Sequence, residues 1–381
     1  MWIPILLFLI VAGLVYQLGA LVCLWRIVSR PWNRPVATCF RGITVFKPVK
    51  GLEPETRECL ESFLRQEYQP YQVLFGVACA HDPVMPLLME LKAEWEPQVE
   101  VEVVVCPAAL GENPKVSVLR QLEPYARYGR WVIADGDVKV GPDFLTRAAQ
   151  ALEEPGVGLV SCLYRAGPAY TLGSKLEALT ISADFIPSVA VAEAVEGVRF
   201  ALGAAMILRR QALEAIGGLA AVADFLADDY QLGWRLHQAG LKVGLWPYVV
   251  ETVNPWMSFR EYLGHQARWT RTYRVCRPGG YLAYGLTHTL AFCLVLWLVS
   301  ALAAWALGLL LAGLTVRLVL ARVADSLCLK GHLPWPALLL LPLKDLLSFG
   351  LWLFSFVGQE VTWKGRRFGL TREGRLIPLS K

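Results

Sequence analysis

The chain has 381 residues, enough for one large domain or two medium ones. With 55% hydrophobic residues, 18% charged residues and a mean hydropathy of +0.42, it is too apolar for an ordinary soluble protein. The formal charge of +5 is carried by basic residues beside apolar segments rather than in stripes, which argues against a nucleic-acid partner. The nine cysteines are scattered without a Cys-x-x-Cys pair. They read as structural thiols in a reducing compartment, against a disulfide framework or a zinc site.

Residues 2–25 form an uncharged apolar run, long enough to cross a bilayer at about 20 residues per span. It lacks a basic leading segment and a small-residue cleavage site, so it reads as an anchor rather than a cleaved signal peptide. Arg26, Arg30, Arg34 and Arg41 follow at once and, by the positive-inside rule, place the chain beyond residue 26 in the cytoplasm.

From Gly42 to about Tyr248 the pattern is that of an α/β domain. A strand at Ile43–Phe46 ends in Lys47-Pro48-Val49-Lys50-Gly51, and Glu53–Glu67 reads as a helix with Leu60 and Leu64 on one face. A second strand, Tyr71–Cys79, ends near His81-Asp82-Pro83. Helix Met85–Trp95 and strand Val99–Val105 follow. The uninterrupted apolar stretch Trp131–Ala134 suits a central strand covered on both faces, and it stops abruptly in Asp135-Gly136-Asp137. Two carboxylates one glycine apart can both face a cleft, where a hard divalent cation takes oxygen ligands and bridges phosphates. Asp-Gly is also a common turn dipeptide, so this stretch alone leaves a plain turn open. Strands alternating with helices predict a parallel, doubly wound sheet. Such a sheet gathers Lys47, Lys50, Asp82, Asp135 and Asp137 at one edge, the edge where open α/β sheets bind ligands.

Val157–Leu163 and Phe200–Leu208 read as further strands, and Arg210–Ile216 as a helix closed by Gly217-Gly218. Asp228 is placed to cap a helix running from Tyr230 to Ala239, with Asp229 in its first turn as a dipole partner or a catalytic carboxylate. Residues 252–282 are rich in arginine and aromatics, which suits an amphipathic segment at a membrane interface. Arg268 or Trp269 would be the residues to turn inward from it. Leu286–Leu320 is apolar except for Arg317, and Leu333–Val361 is apolar except for Lys344, Asp345 and Glu360. Two C-terminal crossings are expected, the first run being open to a tight hairpin of two short helices, in which case the second is re-entrant, with Lys344 and Asp345 pairing internally. A basic tail with Lys364, Arg366, Arg367, Arg372 and Arg375 closes the chain on the cytoplasmic side.

Taken in order, the motifs resemble the ceramide glucosyltransferase family of membrane glycosyltransferases, including its bacterial branch and the related hopanoid enzymes. They are Lys47-Pro48-Val49-Lys50-Gly51, Asp82-Pro83, Asn113-Pro114-Lys115, Asp135-Gly136-Asp137, Gly217-Gly218-Leu219, Ala227-Asp228-Asp229-Tyr230, His265-Gln266-Ala267-Arg268-Trp269 and Trp363-Lys364-Gly365-Arg366. The resemblance runs from the first anchor to the tail. It implies an A-type nucleotide-sugar glycosyltransferase domain, with a Rossmann-like mixed sheet, set between N- and C-terminal transmembrane helices. The corresponding segments are an anchor at 1–26, a cytoplasmic catalytic domain at 42–250, interfacial helices at 251–283, a transmembrane region at 284–361 and a tail at 362–381. It further implies a UDP-sugar donor, Mn2+ or Mg2+, a membrane lipid acceptor, and an integral protein of a bacterial inner membrane. Carried over by motif, Asp82 suits the base or ribose, Asp135 the ribose and metal, Asp137 the metal-diphosphate, and Asp229 the catalytic base. Lys50, Asn113, Lys115, His265, Arg268 and Trp269 fall among the substrate-binding positions. His265 stands where the family pattern has Gln or Arg, a departure that points toward the hopanoid-type relatives.

One base without an enzyme nucleophile implies displacement with inversion. A processive polysaccharide synthase would share the aspartates and the Arg-Trp pair but needs more membrane spans. A non-catalytic scaffold has no use for four strand-end carboxylates, each costly when buried unpaired.

Overall fold

The computed structural model describes residues 2–30, 41–363 and 365–379. Arg34, Cys39 and Lys364 lie outside the described residues. The chain divides into two compact units, one made of Met1–Ser29, Arg165–Val195 and Asn254–Lys381, the other of Arg30–Tyr164 and Glu196–Val253.

The second unit is built on an eight-stranded sheet of β1 (Ile43–Pro48), β2 (Tyr71–Val77), β3 (Glu100–Val105), β4 (Arg130–Ala134), β5 (Val138–Lys139), β6 (Val157–Ala166), β7 (Ala205–Arg209) and β8 (Lys242–Thr252), in the order β3-β2-β1-β4-β7-β6-β8-β5. β2 and β4 are buried along their whole length, as strands covered on both faces must be. β3, β2, β1 and β4 run parallel, linked by crossovers that include helices Thr56–Leu64, Met85–Trp95 and Pro114–Leu122. Strand order reverses between β1 and β4, so the crevice beyond their carboxyl ends is a switch point of the kind that binds ligands. Phe46 and Trp131 pack ring on ring at 4.7 Å beneath it, within a core that includes Leu74, Leu119, Met206 and Leu232.

The expectation of a parallel sheet holds only for that half. β7 pairs antiparallel with both β4 and β6, and β8 antiparallel with β5. Alternation of strands and helices reports crossovers but not direction. Between β6 and β7 the chain runs through residues 165–195 of the other unit, which frees it from the parallel rule. The strand expected at Phe200–Leu208 begins only at Ala205, and the 11-residue β8 goes unannounced by the pattern.

The first unit is largely helical. Three of its helices, Trp2–Val28, Leu172–Glu196 and Ala304–Cys328, are long and apolar enough to cross a membrane. A bent pair, Pro278–Thr287 and Thr289–Val299, meets that test jointly at a 55° angle. The run expected to be an anchor at the N-terminus falls in the first of these, by length and composition. Helix Thr289–Val299 turns back into Ala304–Val323 through Ala301 and Leu302, both at positive φ, which is a tight hairpin, though its second helix has 20 residues and is not short. Gly13 lets the first helix approach closely, since a Cβ there would lie 2.3 Å from Thr289 Oγ1.

Nothing in the spacing announces the Leu172–Glu196 helix, which carries Lys175, Glu177, Asp184, Glu193 and Glu196. Its middle widens into a π-helical turn at Ile181–Phe185, a distortion frequent at functional positions. Asp184 in that turn accepts from both Arg317 and Lys344. Asp345 lies 3.0 Å from Arg317 Nε and 2.5 Å from Lys344 Nζ. The expected Lys344–Asp345 pair is therefore half of a neutral four-charge cluster, the arrangement that makes charge tolerable among apolar helices.

The basic helix Phe259–Cys276 opens with a Ser258–Glu261 capping box. Some of its arginines are not given to lipid: Arg271 donates to the Glu360 carbonyl at 2.6 Å and Arg274 to that of Gly358 at 2.9 Å. The tail is an antiparallel sheet of β9 (Glu360–Trp363), β10 (Arg366–Leu370) and β11 (Leu376–Pro378).

Candidate active site

The Asp-Gly-Asp turn is held by a lysine that the motif pattern passes over as a polar strand end. Lys47, wholly buried in β1, donates from Nζ to the carbonyls of Asp135 and Val138. Burial pulls its ammonium down to about 8 against the pull of Cys59, Asp137 and Asp135. It tethers the backbone from below and leaves both aspartate side chains to the crevice. The one signal of this role in the sequence is a lysine inside an otherwise apolar strand.

Asp135 is partly exposed, and its Oδ1 lies 2.6 Å from Lys115 Nζ. The same ammonium stands 3.8 Å from Asp228 Oδ2. Burial works against the Lys115 charge, but Asp135 and Asp228 outweigh it and hold the group protonated well above its ordinary range. Asp137 keeps an exposed face at the end of the turn. The surrounding protein and then Asp135 push its carboxyl upward, and access to solvent moderates that push.

Asn113 caps helix Pro114–Leu122, accepting from the backbone of Lys115 and Val116 with Oδ1 and donating to Phe225 O and Asp228 Oδ1 with Nδ2. Expected among the substrate contacts, Asn113 is fully buried with its amide engaged, so what it orders directly is Asp228 and the Lys115 helix. Asp228 in turn does not cap its helix, as the spacing suggests; it is the first helical residue and its side chain points to Asn113 and Lys115.

Asp229 lies one residue on, with Oδ1 accepting from Tyr230 N at 2.7 Å. Burial, followed by repulsion from Asp228, raises its carboxyl to about 7. The loop before β7 reaches it through Gly203: a Cβ there would lie 2.8 Å from Asp229 Oδ2, so a side chain at 203 displaces the carboxylate. Asp82 ties two loops of the same edge together, its Oδ1 accepting from Gly51 N at 2.9 Å and Val84 N at 3.1 Å. Lys50, beside Gly51, is exposed. The structure thus gathers Asp135, Asp228, Asp229 and Lys115 into one cluster, with Asp137 on the same turn and with Lys50 and Asp82 on the neighbouring loops.

His265, Arg268 and Trp269 belong to the other unit, on helix Phe259–Cys276. His265 Nδ1 lies 3.0 Å from Glu177 Oε1, and its ring is 4.6 Å from that of Trp269. The Arg268 guanidinium stands over Trp363 at 6.0 Å.

Chemically, the cluster in the sheet unit offers anionic oxygens and a fixed ammonium at a switch-point crevice, beside a carboxylate able to exchange a proton near neutrality. Asp135 and Asp137 fit a hard divalent cation as a two-carboxylate seat: both are oxygen donors, one is exposed, and their mutual repulsion favours an added positive charge. Among the described residues no group of three or more potential ligands forms a closed protein cage. That donor set matches ions that take one or two carboxylates and draw their remaining ligands from substrate phosphates and water.

Ceramide glucosyltransferase 1 of Caenorhabditis elegans is 24% identical over 214 residues, 54% of this chain and 44% of its own length. Ceramide glucosyltransferase of Candida albicans is 29% identical over 125 residues, 30% of this chain and 23% of its own. The chain therefore spans less than half the length of these curated relatives. A mannosyltransferase from Pyrobaculum calidifontis, solved in complex with GDP-Man and Mn2+, shares the fold at a TM-score of 0.57 and 20% identity, covering 94% of this chain and 99% of that one. The model of glycosyl transferase family 21 matches residues 5–376, so nearly the whole chain falls under it. On these grounds the chain is similar to the ceramide glucosyltransferases and belongs to glycosyl transferase family 21.

Proposed function

We propose that this glycosyltransferase moves one sugar, glucose in the first instance, from a UDP-sugar to the hydroxyl of a membrane lipid such as ceramide, forming a β-linked glycolipid. The observation that carries the reading is Asp229, a carboxylate raised to about 7 beside the Lys115–Asp135–Asp228 cluster at the carboxyl edge of the sheet. A general base works best when its proton affinity lies near the operating pH, and it contributes typically about 100- to 10,000-fold. Asp229 takes the proton of the attacking hydroxyl as its oxygen bonds to the anomeric carbon. The bond from that carbon to the diphosphate breaks on the opposite face, and UDP leaves. Asp82 and Asp135 face the nucleoside, and Lys50 and Lys115 supply positive charge toward base and phosphate. Asp135 and Asp137 would hold Mn2+ or Mg2+, which supplies neutralisation of the diphosphate charge. Asn113 keeps Asp228 and Lys115 in place. The basic residues after the first and the last apolar segments support a cytoplasmic catalytic face at a bacterial inner membrane.

His265, at a position where the family pattern has Gln or Arg, favours one second reading: transfer of N-acetylglucosamine from its UDP donor to a hopanoid. Purified protein supplied with radiolabelled UDP-sugars and lipid extract, with Mn2+ or Mg2+ and again with chelator, tests both. A labelled glycolipid that requires the cation and disappears in Asp229→Asn is the expected result, and mass spectrometry then names sugar and acceptor. Label in a polymer would move the assignment to a processive synthase, and neither turnover nor UDP-sugar binding would support a scaffold instead.

A further inference from the structure

The helical unit contains a carboxylate–imidazole pair that the motifs do not reveal, because its members are 88 residues apart in sequence. Glu177, on helix Leu172–Glu196, is buried to 7% exposure. Its Oε2 accepts from Gln266 Nε2 at 2.8 Å, and its Oε1 lies 3.0 Å from His265 Nδ1. Two adjacent residues of helix Phe259–Cys276 thus clasp the two oxygens of one side chain. One turn after Glu177 and one turn before His265, Thr180 Oγ1 and Tyr262 Oη lie 3.2 Å apart, and Leu176, Met257 and Tyr262 form a small core. The two helices are pinned in register around the pair.

This arrangement assigns a tautomer. His265 Nδ1 is buried and has no well-aligned hydrogen bond, and the Glu177 oxygen at 3.0 Å is the acceptor within its reach. Two lone pairs do not settle face to face at that separation, so Nδ1 carries the proton, and in the neutral ring Nε2 is then an acceptor. The His265 side chain is 24% exposed, so its ring reaches the surface beyond the buried Nδ1. Beside it stands an aromatic wall: Trp269 is 4.6 Å from the imidazole, 5.1 Å from Phe185 and 5.9 Å from Tyr273, and Phe185 stacks on Tyr273 at 5.8 Å. A single oriented acceptor at the margin of an apolar wall complements an amphiphile, whose hydroxyl needs one partner and whose chain needs apolar surface.

We propose that Glu177 is a positioning residue, which fixes the His265 imidazole with its proton on Nδ1 so that Nε2 accepts a hydrogen bond from the hydroxyl of an amphiphilic lipid. The lipid class rests on the proposed function, whereas the pair itself does not. A structural strut would hold two helices together with no need for an exposed ring beside an aromatic wall.

The test is equilibrium binding of radiolabelled short-chain ceramide to the full chain in detergent micelles, with UDP-glucose binding measured on the same samples. Glu177→Ala and His265→Ala are each expected to weaken ceramide binding about tenfold, the scale of one hydrogen bond. If Glu177 acts through His265, the double variant is no weaker than His265→Ala alone. Glu177→Gln, whose amide oxygen still accepts from Nδ1 once Gln266 turns its own amide over, is expected to keep most of the affinity. UDP-glucose affinity stays unchanged in the Glu177 variants. Should Glu177→Ala not yield folded protein, Glu177→Asp shortens the reach to Nδ1 while keeping charge, and it must lower ceramide affinity alone. Additive losses in the double variant overturn the proposal, as does undiminished ceramide binding in the variants. A wild type that binds UDP-glucose but no ceramide saturably also overturns it. Loss of UDP-glucose binding by the wild type would strike the transferase reading instead, and the ceramide arm would still decide this inference.

Discussion

Replacing Asp229 by Asn should make the protein inactive and more stable at once. In the folded chain this carboxyl sits at about 7 against an ordinary value of 3.8, chiefly through burial and then through Asp228. A carboxylate with a raised folded-state value binds its proton more tightly folded than unfolded, so stability is lost as pH rises from about 4 through 7 and then levels off. Integrated over that interval, the charging cost is at most about 4 kcal/mol at pH 8, about 1.7 at pH 5 and about 0.5 at pH 4. Partial solvent access at the side chain lowers the first figure to about 2–4. Asn has the same shape and no charge, and it can still accept from Tyr230 N. Thermal unfolding of wild type and variant in detergent, without metal or nucleotide, should show a higher midpoint for the variant at pH 8 and a gap that nearly closes at pH 4. Transfer activity of the variant should fall about 100- to 10,000-fold, and wild-type kcat/KM should rise with pH through about 7. A variant that unfolds earlier at pH 8, or that keeps a third or more of the activity, would refute the reasoning.

Three further outcomes follow from the same geometry. Gly203→Ala puts a Cβ 2.8 Å from Asp229 Oδ2, so kcat should drop by about a hundredfold, the low end of a misplaced base, with UDP-sugar affinity retained by calorimetry. Lys115→Met strips Asp135 and Asp228 of their shared cation; stability should fall by about 3 kcal/mol and be partly restored by saturating Mn2+, read from unfolding midpoints. Lys344→Met leaves Asp184 and Asp345 sharing Arg317 and should cost about 3–5 kcal/mol, while the neutral double variant Lys344→Met/Asp345→Asn recovers most of it.

Local chemistry was enough to locate the sheet edge. Short apolar runs bounded by turn residues made β1, β2 and β4 legible, and alternation of Val with Glu did the same for β3; with them came the ends where Lys50, Asp82, Asp135 and Asp137 emerge. The apolar N-terminal helix was legible too, since an uncharged run of that length has no stable place in water. Direction was not: periodicity is the same for a parallel and an antiparallel strand, and β7 runs backward after the chain has passed through residues 165–195. Partnership was not either. Lys47 looked like a polar strand end at the ligand edge and is the buried tether of the Asp-Gly-Asp turn, Asp228 looked like a cap and points instead to Asn113 and Lys115, and Asn113 looked like a ligand contact and is a buried cap. The Leu172–Glu196 helix escaped notice because its charged residues broke the apolar signal, yet Asp184 and Glu177 are tolerable there only through Arg317, Lys344, His265 and Gln266, which lie far along the chain. Composition and periodicity thus determined which segments avoid water and where carboxylates end strands. Which charge meets which was decided by tertiary structure alone, because a buried charge is stabilised by neighbours in space and sequence records only neighbours along the chain.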